Sequence, residues 1–198
     1  ARYPNYDPKN PYGGGWAYVD GVMWPMYSDI EGEVKNTLKV KEQDWRQWAK
    51  PEEVEVFIFP RYNWWNDILR VKAIDPATRT ITTARNASYA MRANDRYYFQ
   101  NALEELDAPG EWYLDRENAI LYLKPPKPLE TAEVYAPTTR DILQLEGTSH
   151  VVVRGLTFEC ADGTAINLVN ANDCRVIACT VRNIGDFSGT GISVNGTS

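Results

Sequence analysis

The sequence predicts an all-β protein in which a small antiparallel β-barrel or sandwich precedes the first coils of a parallel β-helix. Three observations lead to this prediction. Residues 142–198 repeat at a spacing of 23, residues 54–123 hold short strand-like runs divided by turn residues, and the composition changes between these regions. All seven Trp lie between Trp16 and Trp112, whereas residues 142–198 contain no Trp, Tyr, Pro or Lys.

Residues 1–33 are predicted to form an extended arm. They are rich in Pro, Gly and Tyr, as in the runs 2–5 (RYPN) and 10–16 (NPYGGGW). Such a composition favours turns over regular hydrogen-bonded elements.

Residues 34–136 are predicted to form the small antiparallel domain. Asp44 is a candidate N-cap for a short helix that Pro51 would end, and Asn101 is a candidate cap for one helical turn through Leu106. Alternating apolar residues with flanking turns predict the antiparallel strands. These strands are expected at residues 54–59, 68–74, 80–83, 112–115 and 120–123.

Residues 137–198 are predicted to form the coils. Each 23-residue copy offers three short strands and is too short to include a crossover helix, so equivalent residues are expected to stack about 4.8 Å apart. A third copy starts at residue 191, and the chain stops inside it, which predicts a truncated array whose partner is the rest of the β-helix. The matching apolar pairs include Leu145 with Leu168, Val153 with Val176, and Phe158 with Val181.

Composition and charge argue against several classes of partner. A net charge of −6 without a Lys/Arg cluster argues against nucleic acid and against an anionic membrane. No run reaches the roughly 18 apolar residues that span a bilayer, so no membrane insertion is expected. Cys160, Cys174 and Cys179 lie in the repeats without metal-ligand spacing. We expect them to be small buried apolar residues, and no metal site or cofactor is predicted.

Two longer runs resemble a known family. Residues 97–116 (YYFQNALEELDAPGEWYLDR) and 121–126 (LYLKPP) resemble a signature of bacterial right-handed parallel β-helix proteins. Residues 2–5 and 153–158 are similar to flanking patterns of that family. The family includes glycoside hydrolases that act on plant or algal polysaccharides, in which a small β-barrel is inserted before the main run of coils. The resemblance covers nearly the whole chain and is more specific for architecture than for substrate.

The resemblance implies a fragment of a secreted glycoside hydrolase, extracellular or periplasmic, that binds a polysaccharide or oligosaccharide. Its paired catalytic carboxylates would lie on coils beyond residue 198, so no catalytic residue is assigned. Two alternatives stay open. One is a polysaccharide lyase on the same scaffold, which could use Ca²⁺, and the other is a non-catalytic glycan-binding or adhesin β-helix protein.

The first candidate substrate-binding residues are Arg61, Trp64 and Trp65, which fall in an apparent loop between two strands. Aromatic faces stack on sugar rings, and a guanidinium donates hydrogen bonds to hydroxyl groups. Two adjacent exposed Trp are unfavourable unless they contact something. A tandem Trp can instead fill a domain interface, and the sequence alone supports both interpretations.

The other candidates lie in the repeats. Asp162 and Asp186 occupy the same inter-strand loop of successive copies, where an Asp can contact substrate or simply shape a turn beside Gly. His150 precedes Asp173 by 23 residues, so an imidazole is expected to stack on a carboxylate. That pair could act as an acid and base or form an ordinary hydrogen bond at a turn.

Overall fold

The structure is a computed structural model that describes residues 1–185 and 189–196. It divides the chain into two compact units, Ala1–Thr131 and Ala132–Ser198. Both units are all-β, with antiparallel strands in the first and parallel strands in the second. Within the described residues the helical elements are four single 3₁₀ turns. No helix in that part of the chain has the length and apolar character needed to cross a bilayer.

The first unit contains a seven-stranded antiparallel sheet and a separate hairpin. The sheet order is β1-β7-β4-β5-β6-β3, and β2 also pairs with β7, while β8 and β9 form the hairpin. The strands are β1 (Arg2–Tyr3), β2 (Ala17–Tyr18), β3 (Thr37–Lys39), β4 (Glu55–Ile58), β5 (Asp67–Asp75), β6 (Thr80–Thr83), β7 (Arg96–Gln100), β8 (Trp112–Asp115) and β9 (Ile120–Leu123).

The sheet curls around one core. The Asp20 amide, just after β2, donates to the Lys39 carbonyl of β3 at 2.8 Å, so the two ends of the sheet approach each other. In the middle of β4, Val56 lies opposite Leu69 of β5 and Phe99 of β7. All three side chains are fully buried, and they pack with apolar residues from β2, β3 and β6. This burial supplies the main stabilisation of the unit.

The outer face of β4 is covered by aromatic rings. Phe57 stacks on Tyr98 of β7, with ring centroids 4.7 Å apart and an interplanar angle of 7°. Trp16 lies against both rings. Offset and edge contacts of this kind add about 1 kcal/mol per pair to the burial itself.

Three local predictions for the first unit require correction. Residues 1–33 contribute β1 and β2 to the sheet, rather than forming only an extended arm. The predicted helix from Asp44 to Pro51 is wrong: a 3₁₀ turn covers Glu42–Asp44, and a second one begins at Pro51. Proline is well tolerated at the first position of a helical turn because its missing N–H would be unpaired there anyway.

The third local prediction, a helical turn near Asn101, is right in place and wrong in mechanism. The turn near Asn101 is a 3₁₀ turn at Leu103–Glu105, and no side chain caps it. Asn101 itself lies in the left-handed region (φ 61°), and its side-chain amide donates to the Glu53 carbonyl at 2.8 Å. The strands β3 and β7 were not predicted.

The second unit is built from parallel strands in three separate stacks. The strand order is β10-β13-β16 in the first stack, β11-β14 in the second and β12-β15 in the third. The strands are β10 (Leu143–Glu146), β11 (Val152–Arg154), β12 (Thr157–Ala161), β13 (Ile166–Val169), β14 (Arg175–Ile177), β15 (Thr180–Ile184) and β16 (Ile192–Asn195).

The register of these stacks matches the repeat in the sequence. Leu145 pairs with Leu168, Val153 with Val176, and Phe158 with Val181, each at the predicted spacing of 23. The spacing from β13 to β16 is 26 residues, as predicted for the third copy. The pairings expected from the sequence are therefore confirmed for the described strands.

The interior of the second unit is a small aliphatic cluster around Ile166, which is fully buried between Leu143 and Ile192 of the neighbouring strands. Cys174 and Cys179 pack against this cluster as free thiols of intermediate exposure, and Cys160 is a third free thiol of intermediate exposure. The prediction of small buried apolar residues is thus correct in that Cys174 and Cys179 pack against the apolar cluster. It is too strong in that all three thiols are only partly buried.

We expect Ile166→Ala to lower the free energy of unfolding by about 2–4 kcal/mol, because it leaves a cavity between two stacked strands. Ile177→Ala, at a residue that is 39% exposed, is the matched control and should change stability by less than about 1 kcal/mol. Urea unfolding followed by far-UV circular dichroism measures both. Equal effects of the two substitutions would contradict the central position of Ile166.

Candidate functional site

The candidate site is the loop that joins β4 to β5. Arg61 (φ 57°) and Asn63 (φ 60°) both adopt the left-handed backbone region, which turns the chain sharply before Trp64 and Trp65. The two indole side chains point away from the core, and their residues are 69% and 53% exposed. The loop thus presents adjacent aromatic rings at the surface of the first unit.

These two Trp belong to a larger group of rings, here called the aromatic platform. Tyr62 is its central contact, with ring centroids 5.2 Å from Trp64, 4.9 Å from Tyr89 and 5.7 Å from Tyr27. A shallow depression of about 390 Å³ lies between Trp64, Trp65, Ser88 and Tyr89. The aromatic platform consists of Tyr27, Tyr62, Trp64, Trp65 and Tyr89.

Arg61 connects the platform loop to the segment that carries Tyr27. Its guanidinium donates to the carbonyls of Met26 (3.0 Å) and Ser28 (2.8 Å) and pairs with Asp29 (3.1 Å). It also lies 4.8 Å from the centroid of the Tyr62 ring, a distance at which a cation attracts an aromatic face. Only 12% of the side chain is exposed, so the structure shows Arg61 positioning the platform.

Arg92 makes a second connection to the same segment, and the two arginines together are called the arginine latch. The Arg92 guanidinium forms a bidentate pair with Glu33, with Nε–Oε1 at 2.6 Å and Nη2–Oε2 at 2.9 Å. It also donates to the carbonyls of Pro25 (3.2 Å) and Ser28 (2.7 Å). Planar pairing of this type is strong and geometrically specific. Since Arg92 is 7% exposed, these bonds are shielded from water.

Asp95 ties both arginines to the backbone of the sheet. One of its carboxylate oxygens accepts hydrogen bonds from the amides of Arg61 (2.8 Å) and Arg92 (2.7 Å). The residue is 4% exposed, and this burial raises the pKa of Asp95 to about 6, although the two amides and the Arg92 cation lower it in part. A buried carboxyl group with a raised pKa is therefore hydrogen-bonded to the first residue of the platform loop.

The chemistry that this arrangement can perform is binding. Aromatic faces offer apolar contact to the C–H face of a sugar ring, and Ser88 and Tyr89 border the same depression with hydroxyl groups. Among the described residues, no group of three or more His, Cys, Asp or Glu side chains is arranged to hold a metal ion.

The structure brings together Arg61, Trp64 and Trp65 and places the other candidates in the second unit. Asp162 is exposed, and its amide donates to the Thr139 carbonyl at 3.3 Å. Asp186 lies outside the described residues. A substrate contact by either Asp stays a prediction.

His150 and Asp173 form the stacked pair that their spacing predicted. Nδ1 of His150 lies 2.9 Å from a carboxylate oxygen of Asp173, and both side chains are largely exposed. The imidazole and the neighbouring Arg175 hold the pKa of Asp173 below its usual value. The contact is a hydrogen bond between two exposed side chains, and a role as acid and base stays a prediction.

Sequence reasoning missed most of the support for the platform. Tyr62 lies next to Arg61 in the loop that the sequence indicated, but Tyr27 and Tyr89 lie 35 residues before and 27 residues after Tyr62. Arg92 and Asp95 carry no local pattern that distinguishes them from ordinary surface charges. Their role depends on contacts across more than 30 residues of chain.

Comparisons with protein-family models, with curated proteins and with solved structures found no match to this chain. The function is therefore argued from the geometry of the site and from the repeat.

We expect Asp95 to make the first unit less stable as the pH rises from about 4 to about 6. Its carboxyl has a pKa of about 6 when folded and about 3.9 when unfolded, so the folded state binds more protons in this window. The effect is at most about 3 kcal/mol. Asp95→Asn keeps an acceptor for both amides and should remove this dependence.

The measurement is urea unfolding of the natural and Asp95→Asn chains at pH values between about 4 and 7, followed by Trp fluorescence, which reports on the first unit because it holds all seven Trp. Other carboxylates affect both chains equally, so the difference between the two profiles isolates Asp95. Parallel profiles would show that Asp95 keeps an ordinary pKa.

Proposed function

We propose that this chain is part of a secreted polysaccharide-active protein built on a right-handed parallel β-helix, and that its first unit holds glycan against the aromatic platform. The observation that carries the proposal is the platform itself: exposed rings on a rigid, hydrogen-bonded support. The same rings would be poor candidates for binding if they extended from an unsupported loop.

Two features of the fold support a β-helix. The described parallel strands fall into three stacks with offsets of 23 and 26 residues, which is the arrangement that short coils produce when they wind on one another. The first unit, whose sheet curls around one core, would be the small β-barrel that precedes the coils in the proteins that this sequence resembles.

Two physical arguments support glycan as the ligand. Large exposed aromatic groups are uncommon on surfaces that bind nothing, and Trp64 and Trp65 are each more than half exposed. Trp and Tyr also have few rotatable bonds, so they lose little entropy when they contact a ligand. The arginine latch reduces that loss further, because the loop is already held in place.

We propose that the activity is glycoside hydrolysis because residues 97–116 and 121–126 resemble a signature of polysaccharide-active β-helix proteins. Hydrolysis of a glycosidic bond needs two carboxylates, about 5 Å apart for retention and roughly 6.5–9.5 Å apart for inversion. We propose that both lie on coils beyond residue 198, with the platform holding a neighbouring part of the chain of sugars. An extracellular or periplasmic location follows from the same proposal.

A non-catalytic glycan-binding protein is the second candidate. The observation that favours it is the lining of the depression at the platform, which among the described residues consists of Trp64, Trp65, Ser88 and Tyr89 and includes no carboxyl group. Both candidates predict glycan binding by the first unit, and they differ in what the later coils contain.

We expect the Trp64→Ala/Trp65→Ala chain to bind neutral oligosaccharides at least about tenfold more weakly than the natural chain. Each stacked ring contributes on the order of 1 kcal/mol or more, and both would be lost. Titration calorimetry with β-linked and α-linked neutral oligosaccharides of several sugar units measures the affinity.

Trp112→Ala is the matched control, because Trp112 is 56% exposed but lies on the hairpin and outside the platform. It should leave the affinity for neutral oligosaccharides unchanged. If the natural chain binds none of these ligands, or if the double variant binds as well as the natural chain, the platform is not a glycan site.

A further inference from the structure

The first unit contains a second and larger cavity, which the aromatic platform does not share. Its volume is about 530 Å³, and it lies between the start of the chain, strand β7 and the β8–β9 hairpin. Its charged lining consists of the guanidinium groups of Arg2, Arg70 and Arg116 and the carboxylates of Glu55 and Glu111. In a protein with a net charge of −6, this is a local excess of positive charge.

Two of these five charged groups are already used by the fold. The Glu111 carboxylate accepts hydrogen bonds from the amides of Arg2 (2.8 Å), Asp107 (2.9 Å) and Ala108 (2.9 Å). The Arg2 guanidinium donates to backbone carbonyls and lies 3.8 Å from the centroid of the Tyr98 ring. Both groups therefore shape the wall of the cavity.

Arg70 and Arg116 are different, because their donors remain accessible. The Arg70 side chain is 60% exposed, and its Nε lies 3.9 Å from Glu55, which also accepts a hydrogen bond from the Gln100 amide at 2.9 Å. Arg116 is exposed, and its guanidinium has no hydrogen-bond or ion-pair partner among residues 1–185 and 189–196. A guanidinium group binds a carboxylate or a sulfate through two parallel N–H donors.

Aromatic rings line the same cavity. Tyr6 is 57% exposed and Trp112 is 56% exposed, and both line it together with the two arginines. A ring face next to a guanidinium fits a ligand with an apolar face and an anionic group. A sugar that carries a carboxylate or a sulfate ester combines these two properties.

We propose that this cavity binds an anionic sugar residue, with Arg70 and Arg116 on its acidic group and Trp112 or Tyr6 on its ring. The site is separate from the aromatic platform and does not depend on the function proposed for it. The cavity should favour acidic ligands, whereas the platform should not. The guanidinium groups of Arg61 and Arg92 near the platform are already paired with Asp29, Glu33 and backbone carbonyls. The chain would then contact acidic and neutral sugars at different places.

The test uses the 198-residue chain with three ligands of equal length: an oligogalacturonate, a sulfated oligosaccharide and a neutral oligosaccharide. We expect Arg70→Gln/Arg116→Gln to weaken binding of at least one acidic ligand by about tenfold or more. The same variant should leave the neutral ligand unaffected. The affinity for the acidic ligand should also fall as salt is added, because exposed charges are screened.

Arg154→Gln is the matched control, since it removes one exposed positive charge in the second unit. It should bind the acidic ligand as the natural chain does. Tyr6→Ala/Trp112→Ala provides a second readout and should weaken acidic binding while sparing neutral binding. Far-UV circular dichroism checks the fold of each variant, and the exposure of both arginines makes a folding defect unexpected.

Two results would overturn the proposal: equal affinity of the natural chain for acidic and neutral ligands, or unchanged acidic binding in the double arginine variant. Failure here is distinct from failure of the platform, because Trp64→Ala/Trp65→Ala should weaken only neutral binding. The relative response to galacturonate and to sulfated sugar identifies which anion the cavity accepts.

Discussion

The aromatic platform depends on the contacts that the buried guanidinium of Arg92 makes. This guanidinium joins Glu33 and the carbonyls of Pro25 and Ser28 to a loop that also contains Asp95. A buried cation is tolerated only when its donors are paired, so leaving this arrangement would expose an uncompensated charge to an apolar environment. The segment that carries Tyr27 is consequently held in place before any ligand arrives.

The two units are stabilised by different kinds of side chain. The curled sheet of the first unit encloses a wide core, in which large rings such as Tyr97 and Phe99 are fully buried. The second unit has strands of three to five residues, and its interior is filled mainly by aliphatic groups and half-buried thiols. This difference explains why Trp and Tyr are concentrated in one part of the chain and repeats in the other.

The platform and the arginine-lined cavity differ in the charge that they expose on the surface of the first unit. At the platform, the guanidinium groups of Arg61 and Arg92 are paired with groups of the fold, and the exposed groups are aromatic rings. In the cavity, the carboxylate of Glu111 accepts hydrogen bonds from backbone amides, and the guanidinium groups of Arg70 and Arg116 stay accessible.

The sequence by itself determined the strands of the hairpins, the 23-residue register and the presence of an aromatic loop at residues 61–65. These features are local or periodic, so neighbouring residues encode them. The tertiary structure decided which residues support the loop, because Arg92, Glu33 and Tyr27 reach it from distant positions. It also decided that the Arg61 guanidinium is hydrogen-bonded within the fold and that Arg70 and Arg116 line one cavity. Such contacts depend on how the sheet curls.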